Sequence, residues 1–148
     1  MDVLTRGKED AQTPMQVMSR FFAAYDNYDI EGMLSLHTDD ALWTWIDPAK
    51  KIPQFGPDGK LTGAGKEGIR KLFEMDRGRG GFTGYILFSE VQGDTVSTIE
   101  IWENKGTREV GVPFITKSRY RLSGDKIAEW TWVVSPESTR RRFAAPGA

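Results

Sequence analysis

The sequence has no cysteine and a single histidine, His37. Without thiols there are no disulfides, no thiolate nucleophile and no Cys-ligated zinc, and one imidazole excludes a multi-histidine metal centre within one chain. No metal is expected, so any chemistry must come from carboxylates, hydroxyls, Lys, Arg or His37. Charge of either sign is not in excess: 20 Lys and Arg stand against 21 Asp and Glu, a net charge of -1. No global field therefore draws the protein to nucleic acid or to an anionic membrane. No apolar run approaches the roughly 20 residues of a membrane span, and residues 1–10 are polar and charged, unlike a signal peptide. These absences predict a cytoplasmic protein with neither nucleic-acid nor membrane partners.

What is present is 148 residues, 39% hydrophobic and 11% aromatic, with five Trp among them. That is enough apolar surface for one domain with a sizeable core. Residues 1–12 read as a frayed arm, 13–136 as the domain and 137–148, with Arg140-Arg141-Arg142, as a polar tail. Thr13-Pro14-Met15-Gln16 is a capping box with Pro at the first helical position, which starts a helix running to about Asp26. Val17, Met18, Phe21, Phe22 and Tyr25 form its apolar stripe. Asp29 caps a short second helix through Leu36, with His37 continuing its spacing. The pattern then turns to period two, with Ala41, Trp43 and Trp45 alternating with Leu42, Thr44 and Ile46, as in a strand. After a loop rich in Pro and Gly, in which Gly56-Pro57-Asp58-Gly59 makes a turn, residues from Gly65 to about Arg77 form a third helix. Its helical spacing is carried by Ile69, Leu72, Phe73 and Asp76. From Phe82 to Val134 the chain reads as four antiparallel strands divided at Gln92-Gly93-Asp94, Asn104-Lys105-Gly106 and Ser123-Gly124-Asp125. The third of these strands is expected over about Thr107–Leu122.

Helix, helix, strand, helix and a four-strand meander is an α+β order in which a curved sheet encloses a cone-shaped cavity against the helices. Phe21 through Asp26, Asp29 through Met33, Thr38 through Trp43, Gly65 through Ile69 and Arg119 through Ile127 resemble the SnoaL-like branch of the NTF2-like superfamily. The likeness covers about residues 14–135. It implies the NTF2-like (cystatin-like) cone, three N-terminal helices packed on a curved, mostly antiparallel sheet, and a homodimer through the outer sheet face. Since that superfamily hosts isomerases, dehydratases, epoxide hydrolases, polyketide cyclases and non-catalytic binders, the fold alone does not choose an activity.

Candidate catalytic residues are Tyr25, Asp26 and Glu100. Tyr25-Asp26 resembles the Tyr-Asp of the scytalone dehydratase branch. A carboxylate partly withdrawn from water there would have a raised pKa and could take a proton; the alternative reading of Asp26 is a capping or solvated carboxylate at a helix terminus. The partner His of related enzymes is missing, and Tyr85 is the nearest equivalent. Glu100 alternates with Thr98 and Trp102 against Ile99 and Ile101, and periodicity leaves open which set faces inward. If inward, Glu100 is an isolated acid that needs a partner or a function. The ketosteroid isomerase residues are replaced by Phe21 and Trp45, and the Asp-Arg-Asp set of epoxide hydrolases by Trp102, Glu100 and Trp132, so neither mechanism is expected. Trp43 and Trp45, and Trp130 and Trp132, each share a sheet face, as core packing or as pocket wall. The expected ligand contacts are Phe21, Trp43, Trp45, Tyr85, Trp102, Phe114, Thr116, Ser118, Tyr120 and Trp132. Together these predict binding of a small hydrophobic or ring-containing molecule, with cofactor-free acid/base chemistry or, alternatively, a non-catalytic binding or dimerisation module.

Overall fold

The computed structural model describes residues 12–78 and 80–144. Most of the expected arm, Arg79 and the last four residues of the expected tail lie outside the described residues. The chain opens with α1 (Pro14–Asp26) and α2 (Ile30–Ser35), continues through β1 (His37–Ile46), β2 (Lys60–Ala64) and α3 (Gly65–Gly78), and reaches β3 (Thr83–Gln92) and β4 (Thr95–Glu103). It ends with α4 (Lys105–Val110), β5 (Phe114–Ser123), β6 (Lys126–Val134) and α5 (Pro136–Ala144). The six strands form one sheet in the order β2-β1-β6-β5-β4-β3. All pairings are antiparallel except β1 with β6. The α+β class is therefore as expected, with helices on one face of a curved sheet.

Local chemistry explains the boundaries. Thr13 and Gln16 close the capping box, with Thr13 Oγ1 accepting from the Gln16 amide at 3.2 Å and Gln16 Oε1 accepting from the Thr13 amide at 2.8 Å. The stripe of α1 is buried in full: Val17, Met18, Phe21, Phe22 and Tyr25. On β1 the alternation buries Ala41, Trp43 and Trp45. The parallel register sets Trp43 beside Trp130 and Trp45 beside Trp132. Four indoles thus share the inner face, and Phe21 meets Trp43 and Trp130 edge-on at 6.0 and 5.3 Å.

Two segments depart from the sequence reading. Asn104 starts no hairpin. Its side chain accepts from the Thr107 amide at 2.8 Å while Thr107 Oγ1 accepts from the Asn104 amide at 2.9 Å, a capping box that winds residues 105–110 into α4. Strand β5 therefore begins at Phe114 rather than near Thr107. The expected polar tail is also helical as far as Ala144, and its small hydroxyls are buried through hydrogen bonds. Ser138 Oγ accepts from the Ile115 amide at 3.1 Å, and Thr139 Oγ1 donates to Asp47 at 3.3 Å.

Asp47 organises the loop after β1. Fully buried, its carboxylate accepts from the amides of Ala49, Lys51 and Ile52 as well as from Thr139. The turn closes at Gly59, whose φ of 70° and close approach to the Asp47 carbonyl leave no room for a Cβ. This loop delivers Ile52 and Phe55 to the core. Replacing Asp47 by Ala orphans several donors at once and is expected to cost about 2–4 kcal/mol in urea unfolding, against about 1 kcal/mol for Thr139→Val.

Candidate functional site

Between α1, α3 and the inner face of the sheet lies a cleft with about 50 Å³ of water-accessible space. At roughly 10–15 Å³ per water it holds a few solvent molecules or one compact group. Trp45, Trp102, Phe114, Trp130 and Trp132 wall it from the sheet. The Asp47 loop adds Ile52 and Phe55, the segment before β3 adds Phe82, and the helices add Tyr25, Met75 and Asp76.

Among the described residues Asp76 is the one carboxylic acid of the lining. It sits on α3 one turn beyond Leu72 and Phe73, on the buried stripe, and is 4% exposed. Tyr25 Oη, from α1, donates to Asp76 Oδ2 at 2.6 Å. Burial, then the Asp76 charge, push the phenol pKa well above its ordinary value, so Tyr25 keeps its proton at neutral pH. The pair is a neutral hydroxyl presented to a carboxyl group inside an aromatic cleft.

Glu100 faces inward and is fully buried, which decides the face left open by periodicity. It does not line the cleft. Its carboxylate lies behind the wall, where it accepts from Thr98 Oγ1 at 2.5 Å, Tyr120 Oη at 2.7 Å, Trp102 Nε1 at 2.8 Å and Ser118 Oγ at 3.0 Å. Ser118 Oγ in turn accepts from Trp130 Nε1 at 3.0 Å. Burial raises the Glu100 pKa and the four hydrogen bonds oppose that rise. At about 1.5–3 kcal/mol for each bond to a charged group, four are of the order of the several kcal/mol that burying an ion costs. The network therefore fixes the orientation of two wall indoles more than it adds stability.

Other expected site residues fall elsewhere. Asp26 is half-buried at the end of α1 and accepts from the Gly84 amide at 3.3 Å, outside the cleft; burial raises its pKa against that bond. Tyr85 points to the outer face, 51% exposed. Its neighbour Gly84 takes the inward position because a Cβ there would stand 2.7 Å from the Trp102 ring. Phe21 and Trp43 are core residues with no exposure. Ser118 and Tyr120 serve Glu100, and Thr116 is buried beside them with its hydroxyl unpartnered. Tyr25, Trp45, Trp102, Phe114 and Trp132 do line the cleft. Asp76 was overlooked as a site residue, although a carboxylate at the i+7 position of the stripe Ile69, Leu72, Phe73 was the available signal.

Residues 18–130 match the model of the SnoaL-like domain, and the chain belongs to this family. Among curated proteins none matches. The fold is similar to that of TerC co-crystallised with polyporic acid, at 20% identity over 90% of this chain and all of the other, with a TM-score of 0.69. It is similar also to a protein of ketosteroid isomerase-like fold from Catenulispora acidiphila in complex with trimethylamine, at 18% identity over 91% and 96% of the two chains, with a TM-score of 0.66. An epoxide hydrolase of M. tuberculosis shares 15% identity over 88% and 89%, with a TM-score of 0.64. At these identities the likeness establishes the shared fold.

His37 opens β1 rather than ending a helix, and it is structural. Its Nδ1 lies 2.8 Å from the Met33 carbonyl and its Nε2 accepts from Trp43 Nε1 at 2.9 Å, which assigns the neutral tautomer protonated at Nδ1. Burial lowers its pKa from 6.5 to about 4. Between those values the unfolded chain binds a proton that the folded protein does not. The His37 contribution is thus constant above about pH 6.5 and declines as pH falls toward 4, by about 3 kcal/mol in all. Urea midpoints measured across this range are expected to fall more steeply for the natural protein than for His37→Gln.

Proposed function

We propose that this protein binds a small, predominantly apolar molecule in the aromatic cleft, and that Asp76 with Tyr25 performs cofactor-free acid/base chemistry on it, of isomerase, dehydratase or cyclase type. The observation that carries the reading is a carboxyl group that accepts from a phenol at 2.6 Å in the wall of an aromatic cleft. Asp76 is the base. Tyr25, with its pKa raised, stays neutral and steadies the carboxylate through its hydrogen bond. The indoles exclude water and orient the ligand.

A second reading, a binding module without turnover, is favoured by one feature. The Tyr25 proton is already committed to Asp76, and among the described lining residues no His stands ready to relay a proton. The two readings separate on a small cyclic ketone, cyclohexanone, whose binding is followed by ligand-observed NMR and whose α-hydrogen exchange is followed in D2O. Acid/base chemistry predicts enzyme-dependent exchange that drops about 100-fold or more in Asp76→Asn. Binding without exchange by the natural protein assigns the module instead.

The outer sheet face supports a homodimer. Tyr85 and Phe88 are more than half exposed there, Ile99 lies beside Phe88 with Val133 two strands further along the same row, and Glu90 and Glu129 share the face with Lys117 and Arg119. A two-fold contact would cover the apolar strip and pair the opposite charges. Analytical ultracentrifugation is expected to give a dimer for the natural chain and a monomer for Phe88→Glu; a monomeric natural chain removes the proposal.

A further inference from the structure

Three of the five indole N–H groups have acceptors: Trp43 donates to His37, Trp102 to Glu100 and Trp130 to Ser118. That of Trp45 has none. Its Nε1 is buried without a hydrogen-bond partner, although the indole belongs to the lining of the cleft. Water accepts this proton in the unfolded chain, so folding forfeits a bond, and folded proteins rarely leave a buried donor orphaned. The rings packed on Trp45 cannot repair the loss. They are Trp43 and Trp130 at 5.7 Å, Trp132 at 6.1 Å and Phe55 at 6.3 Å, which offer ring faces and no acceptor oxygen.

Three of these four neighbours are fixed on β1 and β6, whereas Phe55 is carried by the loop between Ile46 and Lys60, where the β1–β2 ladder stops. The Asp47 carboxylate ties that loop down only as far as the Ile52 amide. The cleft has about 50 Å³ of water-accessible space, room for a few waters. A ring-sized ligand therefore enters only as part of the wall gives way, and Phe55 is the neighbour of Trp45 that can yield.

We propose that the ligand of the cleft carries a hydrogen-bond-accepting oxygen on its hydrocarbon frame, and that Trp45 Nε1 donates to this oxygen once Phe55 has moved off the indole. The inference rests on the cleft being the ligand site and specifies which ligand chemistry it takes. Among the described residues the lining has no Lys, Arg or His, so a neutral carbonyl or ether oxygen suits this donor, while a carboxylate would lose its hydration for a single N–H. Trp45 is thus a specificity-determining residue, which separates oxygenated ligands from plain hydrocarbons of the same shape.

Cyclohexanone and methylenecyclohexane share their shape and differ by an oxygen against a CH2 group. Titrated into isotope-labelled protein, both are expected to move the ring signals of Phe55 and the indole signals of Trp102 and Trp130. The ketone alone should carry the Trp45 N–H proton downfield, as a new hydrogen bond does. Affinities from the same titrations give a second readout: the ratio of ketone to alkene binding should fall about five- to tenfold in Trp45→Phe, which keeps a ring and removes the donor. If both compounds bind while the ketone leaves the Trp45 proton in place, or if the ratio survives in Trp45→Phe, the acceptor assignment is overturned and the apolar cleft stands. The proton shift is read in the natural protein, so it decides the matter even where the variant fails to fold. If neither compound moves an indole signal at millimolar concentration, the assignment and the binding reading fall together.

Discussion

A carboxylate that accepts four hydrogen bonds, and that among the described residues has no cation beside it, sits on the inner face of the sheet, and the aromatic wall is built on it. Glu100 draws donors from β4 and β5 directly and from β6 through Ser118. Each donor it satisfies is a side chain whose other end packs in the core or faces the cleft. Tyr120 stacks on Trp130 at 5.5 Å with 11° between the rings, and Trp130 meets Trp43 edge-on at 4.8 Å. An indole that has nowhere else to place its N–H has one orientation, so the polar network converts a crowd of large rings into a defined surface.

The cleft follows from how that surface is spaced. Gly84 leaves the Trp102 ring room that any side chain on β3 would take. Ile52 and Phe55 arrive from a loop held by the buried Asp47, which also anchors α5 through Thr139. The helices close the remaining side with the Tyr25–Asp76 pair. Three buried acids thus divide the labour: Asp47 folds a loop, Glu100 orients a wall, and Asp76 alone reaches the cavity.

Much of the architecture was legible in the chain, because it rests on short-range signals. The capping box at Thr13, the stripe of α1, the alternation around Trp43 and Trp45, and the turns at Gly93 and Gly124 fix elements through contacts a few residues apart. The site was less legible, since it depends on which side chains meet across long separations. Tyr25 and Asp76 are 51 positions apart. The inward face of β4 depended on where Glu100 finds its donors, two of which are on β5. Adjacent residues also part company: Tyr25 enters the cleft while Asp26 turns to the Gly84 amide, and Tyr85 faces out because Gly84 faces in. At Asn104 and at Ser138, polar residues that read as a turn and a tail proved to be a helix cap and a buried contact.

The dependence of the wall on Glu100 is most directly tested by the indole 1H–15N signals of the natural protein and of Glu100→Gln. Exchanging an acceptor-only carboxylate for an amide should displace the Trp102 and Trp130 signals and leave that of Trp43, bonded to His37, where it was. Trp102 and Trp130 signals unchanged in the variant would contradict the account.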